Sequence, residues 1–324
     1  VKDRLESLGV KVVLTHDDTH TKANLFATIG PDVEGGVVLS GHSDVVPVDP
    51  SDWTTPPFVA DRRDGRVYGR GTADMKGFVA CVLAMAPTYV ELDLTVPIHI
   101  ALTFDEEDGF HGAPILLADL KERGVRPSAA VIGEPTGLRT VGALKGCYEY
   151  RTTVTGMNGH SSVPAEAVSA VHYAMRWISG LLSLADDMAV RAPSDSPYDP
   201  PSTTFNVGTI SGGQGRCVVA DKCWFDWEMR PVQVEDASFV KEQMATLEAT
   251  LLDEMQSVYQ EALIQTEMVC EIDGLEWQDD SPALDLMKAL LPEEVAANGG
   301  FLPVDVVSYG TEAGLFQAAG IPAV

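Results

Sequence analysis

The first half of the chain alternates two kinds of patterned segment. Residues 36–40 form a short apolar run that ends at Gly41-His42. A second run, residues 96–104, ends at Asp105-Glu106-Glu107, and a third, residues 129–132, ends at Gly133-Glu134. Short apolar runs bounded by turn residues predict buried strands. Between them, residues 75–85 and 113–123 repeat apolar positions at helical spacing. Pro114 falls in the first turn of the second helix, where a missing N–H is tolerated. This alternation predicts an α/β fold, with a mostly parallel sheet and helices on both faces.

After residue 145 the pattern changes. Residues 147–155 alternate like a half-exposed strand, and 165–184 carry one apolar helical face. Strands are predicted at 203–210 and 222–229, joined by a glycine-rich turn at 211–215, then a helix at 238–255 and a strand at 262–272. The order β-α-β-β-α-β is that of a ferredoxin-like unit. Residues 282–291 and 311–319 predict helices of the first domain resuming. The expectation is a discontinuous domain of residues 1–146 and 274–324, with an inserted ferredoxin-like α+β domain at 147–273.

A length of 324 residues fits two domains. No apolar run approaches the roughly 18 residues of a membrane span, and residues 1–10 lack a signal-peptide pattern. The 48 acidic and 22 basic residues leave a net charge of −26, which repels nucleic acid and anionic membrane. Neither is therefore expected as a partner. The five cysteines (Cys81, Cys147, Cys217, Cys223 and Cys270) are too sparse for a disulfide scaffold and lack zinc-knuckle spacing. We expect reduced thiols and a cytoplasmic setting. The chain begins with Val1 and stops in an apolar stretch, 321–324, that reads like an opening strand; a piece of a longer polypeptide is expected.

His42, Glu107 and Glu134 each follow a predicted strand, and sites in open α/β sheets form at the carboxyl ends of strands. Asp74 lies in the glycine-rich stretch 69–77, just before a helix. Histidine and carboxylates are zinc donors, and a carboxylate such as Asp74 can bridge two ions. Asp44, two residues past His42, is placed to accept its other ring N–H. In extended backbone Glu106 and Glu107 point apart, so one can bind metal while the other moves a proton. Taken singly, a strand-end histidine reads as structural and an Asp-Glu-Glu as a solvated turn. Their coincidence at successive strand ends favours a site. Walker spacing is absent from 69–77, so a phosphate loop is not indicated. His99 is expected to be a packed core residue.

The segments 42–47, 68–77, 105–109 and 133–136, then Lys145-Gly146, Gly159-His160-Ser161-Ser162 and Gly310-Thr311-Glu312-Ala313-Gly314, occur in the order of the motifs of the M20 metallopeptidase family. The chain resembles that family along essentially its whole length. Within it, the 68–77 and 310–314 runs look most like the acetylornithine deacetylase branch. The resemblance implies that His42, Asp74, Glu107 and Glu134 hold two divalent ions, with Asp74 bridging. Zinc is the first choice, with cobalt and manganese as alternatives. It implies Glu106 as general base and Asp44 as the partner of His42. His160 would steady an oxyanion in a neighbouring subunit of a homodimer. Asn206 and Arg230 would hold the substrate, and Glu312 would fall in a segment facing it. The implied reaction removes an acyl group, acetyl first, from a small N-acyl amino acid such as N-acetylornithine, as in arginine biosynthesis. The inserted domain would act as lid and dimerisation domain, with flexible links near Lys145 and Asp273. Succinyl-diaminopimelate desuccinylase and dipeptidase activities are the alternatives within the family. A non-catalytic dimeric binding protein with a degraded metal site is the alternative outside it. The last rests on one departure: the family's final ligand is a histidine downstream of a segment like 311–324, and none of the seven histidines here follows His172.

Overall fold

In the computed structural model, which describes residues 1–290 and 304–324, the apolar runs pair into one sheet. From the N-terminus come α1 (Lys2–Ser7), β1 (Lys11–His16), β2 (Ala23–Ile29), β3 (Val37–His42) and a small hairpin, β4 (Asp61–Arg63) with β5 (Arg66–Tyr68). There follow α2 (Lys76–Glu91), β6 (Ile98–Thr103), α3 (Gly112–Glu122), β7 (Ala129–Ile132) and β8 (Val141–Leu144). Strands β1, β2, β6, β3 and β7 lie side by side in that order. The β6–β3 and β3–β7 pairs are parallel, whereas β1–β2 and β2–β6 are antiparallel. Ala323 adds a parallel bridge beside Ala130 of β7. The sheet is therefore mixed rather than mostly parallel. Its antiparallel edge lies outside the apolar runs read above: β1 is half exposed, with Val12-Val13-Leu14 set between Lys11 and Thr15-His16.

Strand periodicity of two sends alternate residues to opposite faces. Leu25, Ala27 and Ile29 of β2 pack in one core cluster with Leu5 of α1 and with Val82 and Ala86 of α2. On the other face, Asn24 donates to the Gly112 carbonyl of α3, and Phe26 lies under the Arg123 guanidinium at its C-terminal end. His99 of β6 stacks on Phe26 and is 4% exposed, a core position. Helices thus cover both faces.

The chain divides into two compact units. Unit 1 comprises Val1–Leu144, Leu275–Val306 and Thr311–Val324; unit 2 comprises Lys145–Gly274 and Val307–Gly310. Unit 2 carries β9 (Cys147–Thr155), β10 (Gly159–His160), α4 (Ala170–Arg191), β11 (Thr204–Gly212), β12 (Val218–Val219), β13 (Lys222–Arg230), α5 (Val234–Gln256) and β14 (Leu263–Ile272). Its main sheet has the order β11-β13-β9-β14, antiparallel throughout. Trp177 of α4 packs on Phe225 and Trp227 of β13, and Val240, Met244 and Leu251 of α5 complete that core. The helix expected from residue 165 starts at Ala170. Pro164 opens a single 3₁₀ turn, Val168 bridges Met157, and the Ser169 hydroxyl then caps α4 by accepting the His172 N–H. Among the described residues there follow α6 (Pro282–Ala289), β15 (Asp305–Val307) and α7 (Ala313–Ala318). Leu291, the last residue expected in α6, lies outside the described residues. Among the described residues no helix is long and apolar enough to cross a membrane.

Candidate metal centre

The carboxyl ends of β3, β6 and β7 lie next to one another in unit 1, and the loop before α2 comes with them. Two glycines permit that approach. A Cβ on Gly41 would stand 2.7 Å from Cε of Met75, and one on Gly133 would stand 2.1 Å from the Phe78 ring. Met75 and Phe78 flank the start of α2, so both strand ends admit the segment that presents Asp74. The Asp74–Met75 peptide is cis.

His42 is 1% exposed. Its Nδ1 lies 3.2 Å from the Asp44 carbonyl oxygen and 3.4 Å from Asp44 Oδ1. Its Nε2 faces Asp74 Oδ1 at 3.1 Å and Glu106 Oε2 at 3.9 Å. The carboxylate of Asp44 also accepts the backbone N–H of Glu106 at 3.2 Å and of Glu107 at 3.0 Å. One side chain therefore ties the end of β3 to the loop after β6. That loop is a tight turn, not the extended backbone expected. Asp105 and Phe110 have φ of 49° and 58°, and the His111 N–H closes onto the Asp105 carbonyl. Aspartate tolerates this left-handed region better than most residues. An ion pair with Lys22 fixes the Asp105 side chain.

One ligand atom each from His42, Asp74 and Glu134 lie within 4.8 Å of one another. Glu107 is not in that group. Its carboxyl is raised by burial and then by the charge of Asp74. The charge crowding is severe. Burial pushes the Glu106 carboxyl up to about 9, and Glu134 adds to it. Burial likewise raises Glu134 to about 7. Burial opposes the charged form of His42, but the hydrogen bond to Asp44 and the charges of Glu106 and Glu134 outweigh it and lift the imidazole to about 10. Asp44 stays below the usual carboxylate range: burial works against its charge, and the bonds from His42 and the two backbone N–H groups overcome it. Glu134 Oε1 is buried without a hydrogen-bond partner among the described residues. An imidazole nitrogen and two converging carboxylates, one of them with an orphaned buried oxygen, form a donor set that fits a divalent cation.

The remaining expected residues are placed as follows. Glu312, just before α7, is 1% exposed, and burial raises its carboxyl to about 7, so it is closed off from solvent rather than open to it. In unit 2, His160 on β10 is exposed and its Nδ1 lies 2.7 Å from Ser162 Oγ. Asn206 is exposed on β11. Arg230 at the end of β13 pairs with Glu228 at 2.5 Å and lies 3.9 Å from Glu149.

Residues 38–324 match peptidase family M20/M25/M40. Acetylornithine deacetylase of Yersinia pseudotuberculosis serotype O:1b (strain IP 31758) is 34% identical over 304 residues, 93% of this chain and 74% of that protein. Acetylornithine deacetylase of Proteus mirabilis (strain HI4320) is 36% identical over 229 residues, 70% of this chain and 58% of that protein. Among solved structures, a tripeptidase from Staphylococcus aureus aligns over 99% of this chain and 81% of its own, with a TM-score of 0.68 at 21% identity. An M20 family metallo-carboxypeptidase from Sulfolobus solfataricus aligns over 99% and 83%, with a TM-score of 0.73 at 19% identity. These last two similarities bear on the fold alone. With the family matched over most of its length and a fitting donor set at its strand ends, the chain belongs to peptidase family M20/M25/M40 and is a metal-dependent amide hydrolase.

Proposed function

We propose that this enzyme removes an acyl group, acetyl first, from a small N-acyl amino acid of the N-acetylornithine kind. One observation carries the chemistry: the buried Glu106 carboxyl stands 3.9 Å from His42 Nε2, beside the His42, Asp74 and Glu134 ligand group. The likeness to acetylornithine deacetylases narrows the substrate. In this reading His42, Asp74, Glu107 and Glu134 hold two divalent ions, zinc first. Bound there, the ions supply electrophilic polarisation of the acyl carbonyl and make a nearby water more acidic. Glu106 takes the proton from the attacking water and returns it to the leaving amine nitrogen. Asp44 holds the His42 ring and, through the Glu106 N–H, the backbone of the base. The roles that the family resemblance implies for His160, Asn206, Arg230 and Glu312 belong to the same proposal. So do the lid and homodimer roles of unit 2.

Glu106→Gln tests the reading on the full chain. Acetate release from acetylornithine should fall by about 10²–10⁴-fold, the usual share of a positioned acid–base group, with zinc content unchanged by elemental analysis. Turnover near wild type removes Glu106 from the role of base. Hydrolysis of succinyl-diaminopimelate or dipeptides in place of acetylornithine replaces the substrate assignment.

A further inference from the structure

The face of the unit 2 sheet opposite α4 and α5 carries a thiol pair that amide hydrolysis does not use. Cys147 and Glu149 are two residues apart on β9 and so share a face. Cys270 reaches the same face through an irregularity in β14. Met268 pairs with Tyr150, Val269 is passed over, and Cys270 pairs with Glu149. Regular pairing would put Val269 opposite Glu149; the bulge gives that place to Cys270. The result is a compact set of donors. Cys147 Sγ is 3.5 Å from Glu149 Oε1, and the two sulfurs and a carboxylate oxygen lie within 4.8 Å of one another. Sulfur and oxygen ligands of a tetrahedral zinc, at about 2.3 and 2.0–2.2 Å from the metal, stand roughly 3.5–3.8 Å apart.

The surroundings also suit a cation. Cys147 and Cys270 are 2% and 4% exposed, so the sulfurs are shielded from solvent oxidants. Glu149 opens onto a cleft of about 500 Å³ that Asn206, Asp226 and Glu228 also line, which gives an ion a path from solvent. The Cys147 thiol donates to Glu149 Oε1, and the Cys270 thiol donates to the Cys147 carbonyl at 3.7 Å, which holds both sulfurs beside the carboxylate. Two thiolates and one carboxylate around a divalent ion leave one negative charge in excess. The Arg230 guanidinium, 3.9 Å from Glu149 and paired with Glu228, offsets that charge only in part.

We propose that Cys147, Cys270 and Glu149 form a second metal site, separate from the His42 group, which binds one zinc-class ion and keeps a coordination position open toward the cleft. The test is titration of the reduced full chain with Cd²⁺ alone, followed by the ultraviolet thiolate-to-cadmium charge-transfer band. The His42 group has no sulfur and is silent in this band. The expected band saturates at the amplitude of one two-thiolate cadmium site per chain, after the silent His42 group has taken up its own share of the ion; it disappears in Cys147→Ser and in Cys270→Ser, and persists in Cys81→Ser and Cys217→Ser. Glu149→Gln should weaken Cd²⁺ binding by roughly tenfold or more, since even outer-shell losses act on this scale. It leaves both thiols in place, so it reports even where a serine variant fails to fold. A reduced wild-type chain without the band overturns the proposal. So does a band that survives in the double serine variant, or peroxide-induced Cys147–Cys270 disulfide formation in a chain that never shows the band.

Discussion

Asp44 shows how much one carboxylate can organise. It faces Nδ1 of His42 and accepts two backbone N–H groups, from Glu106 and Glu107. In Asp44→Asn, an amide NH₂ must face a donor where an oxygen now accepts. Zinc affinity should fall by about 10–100-fold, the range for a group that orients a ligand from behind, as read by competition with a chelator. Unchanged affinity would show that the His42 ring is held without Asp44. The adjacency of Asp44 and His42 is legible in the sequence because they are two residues apart. The bonds to Glu106 and Glu107 are not, because they depend on the left-handed turn at Asp105. Nor does any local signal announce Cys147 beside Cys270, residues 123 apart whose meeting depends on a bulge.

At the scale of elements, continuous apolar runs are the readable part. β3, β6 and β7 follow from them because strands buried on both faces need apolar residues at every position. β1 carries the run Val12-Val13-Leu14 as well, but it is half exposed, and nothing local in that run says that it pairs antiparallel with β2 at the sheet edge. In unit 2 the alternation along β13 is clear: Cys223, Phe225, Trp227 and Met229 are buried, with Trp224, Asp226, Glu228 and Arg230 between them less so. Trp177 is the largest fully buried side chain in that core, 1% exposed against Phe225 and Trp227. Trp177→Ala should destabilise the protein by about 3–5 kcal/mol, measured by urea unfolding. A loss below about 1 kcal/mol, small for a buried aromatic, would mean that α4 repacks around the gap.

Across the whole molecule, charge acts further than any single contact. A net charge of −26 makes the folded state repel itself. Raising salt from about 0.1 to 1 M shortens the screening length from roughly 10 to 3 Å. The unfolding temperature should therefore rise in sodium chloride, by roughly 2–4 °C for each 1 kcal/mol recovered. A fall would show that attractive pairs such as Arg151–Asp226 outweigh the repulsion. The pairing of Ala130 with Ala323 has a consequence during synthesis. One edge of β7 leaves the ribosome early, and its partner follows only after all of unit 2 has been made. At translation rates of about 5–20 residues per second, that edge waits roughly 10–40 s. Over this interval a newborn chain offers an open strand to any neighbour, and a chaperone that covers it would raise the yield of native enzyme without touching its chemistry.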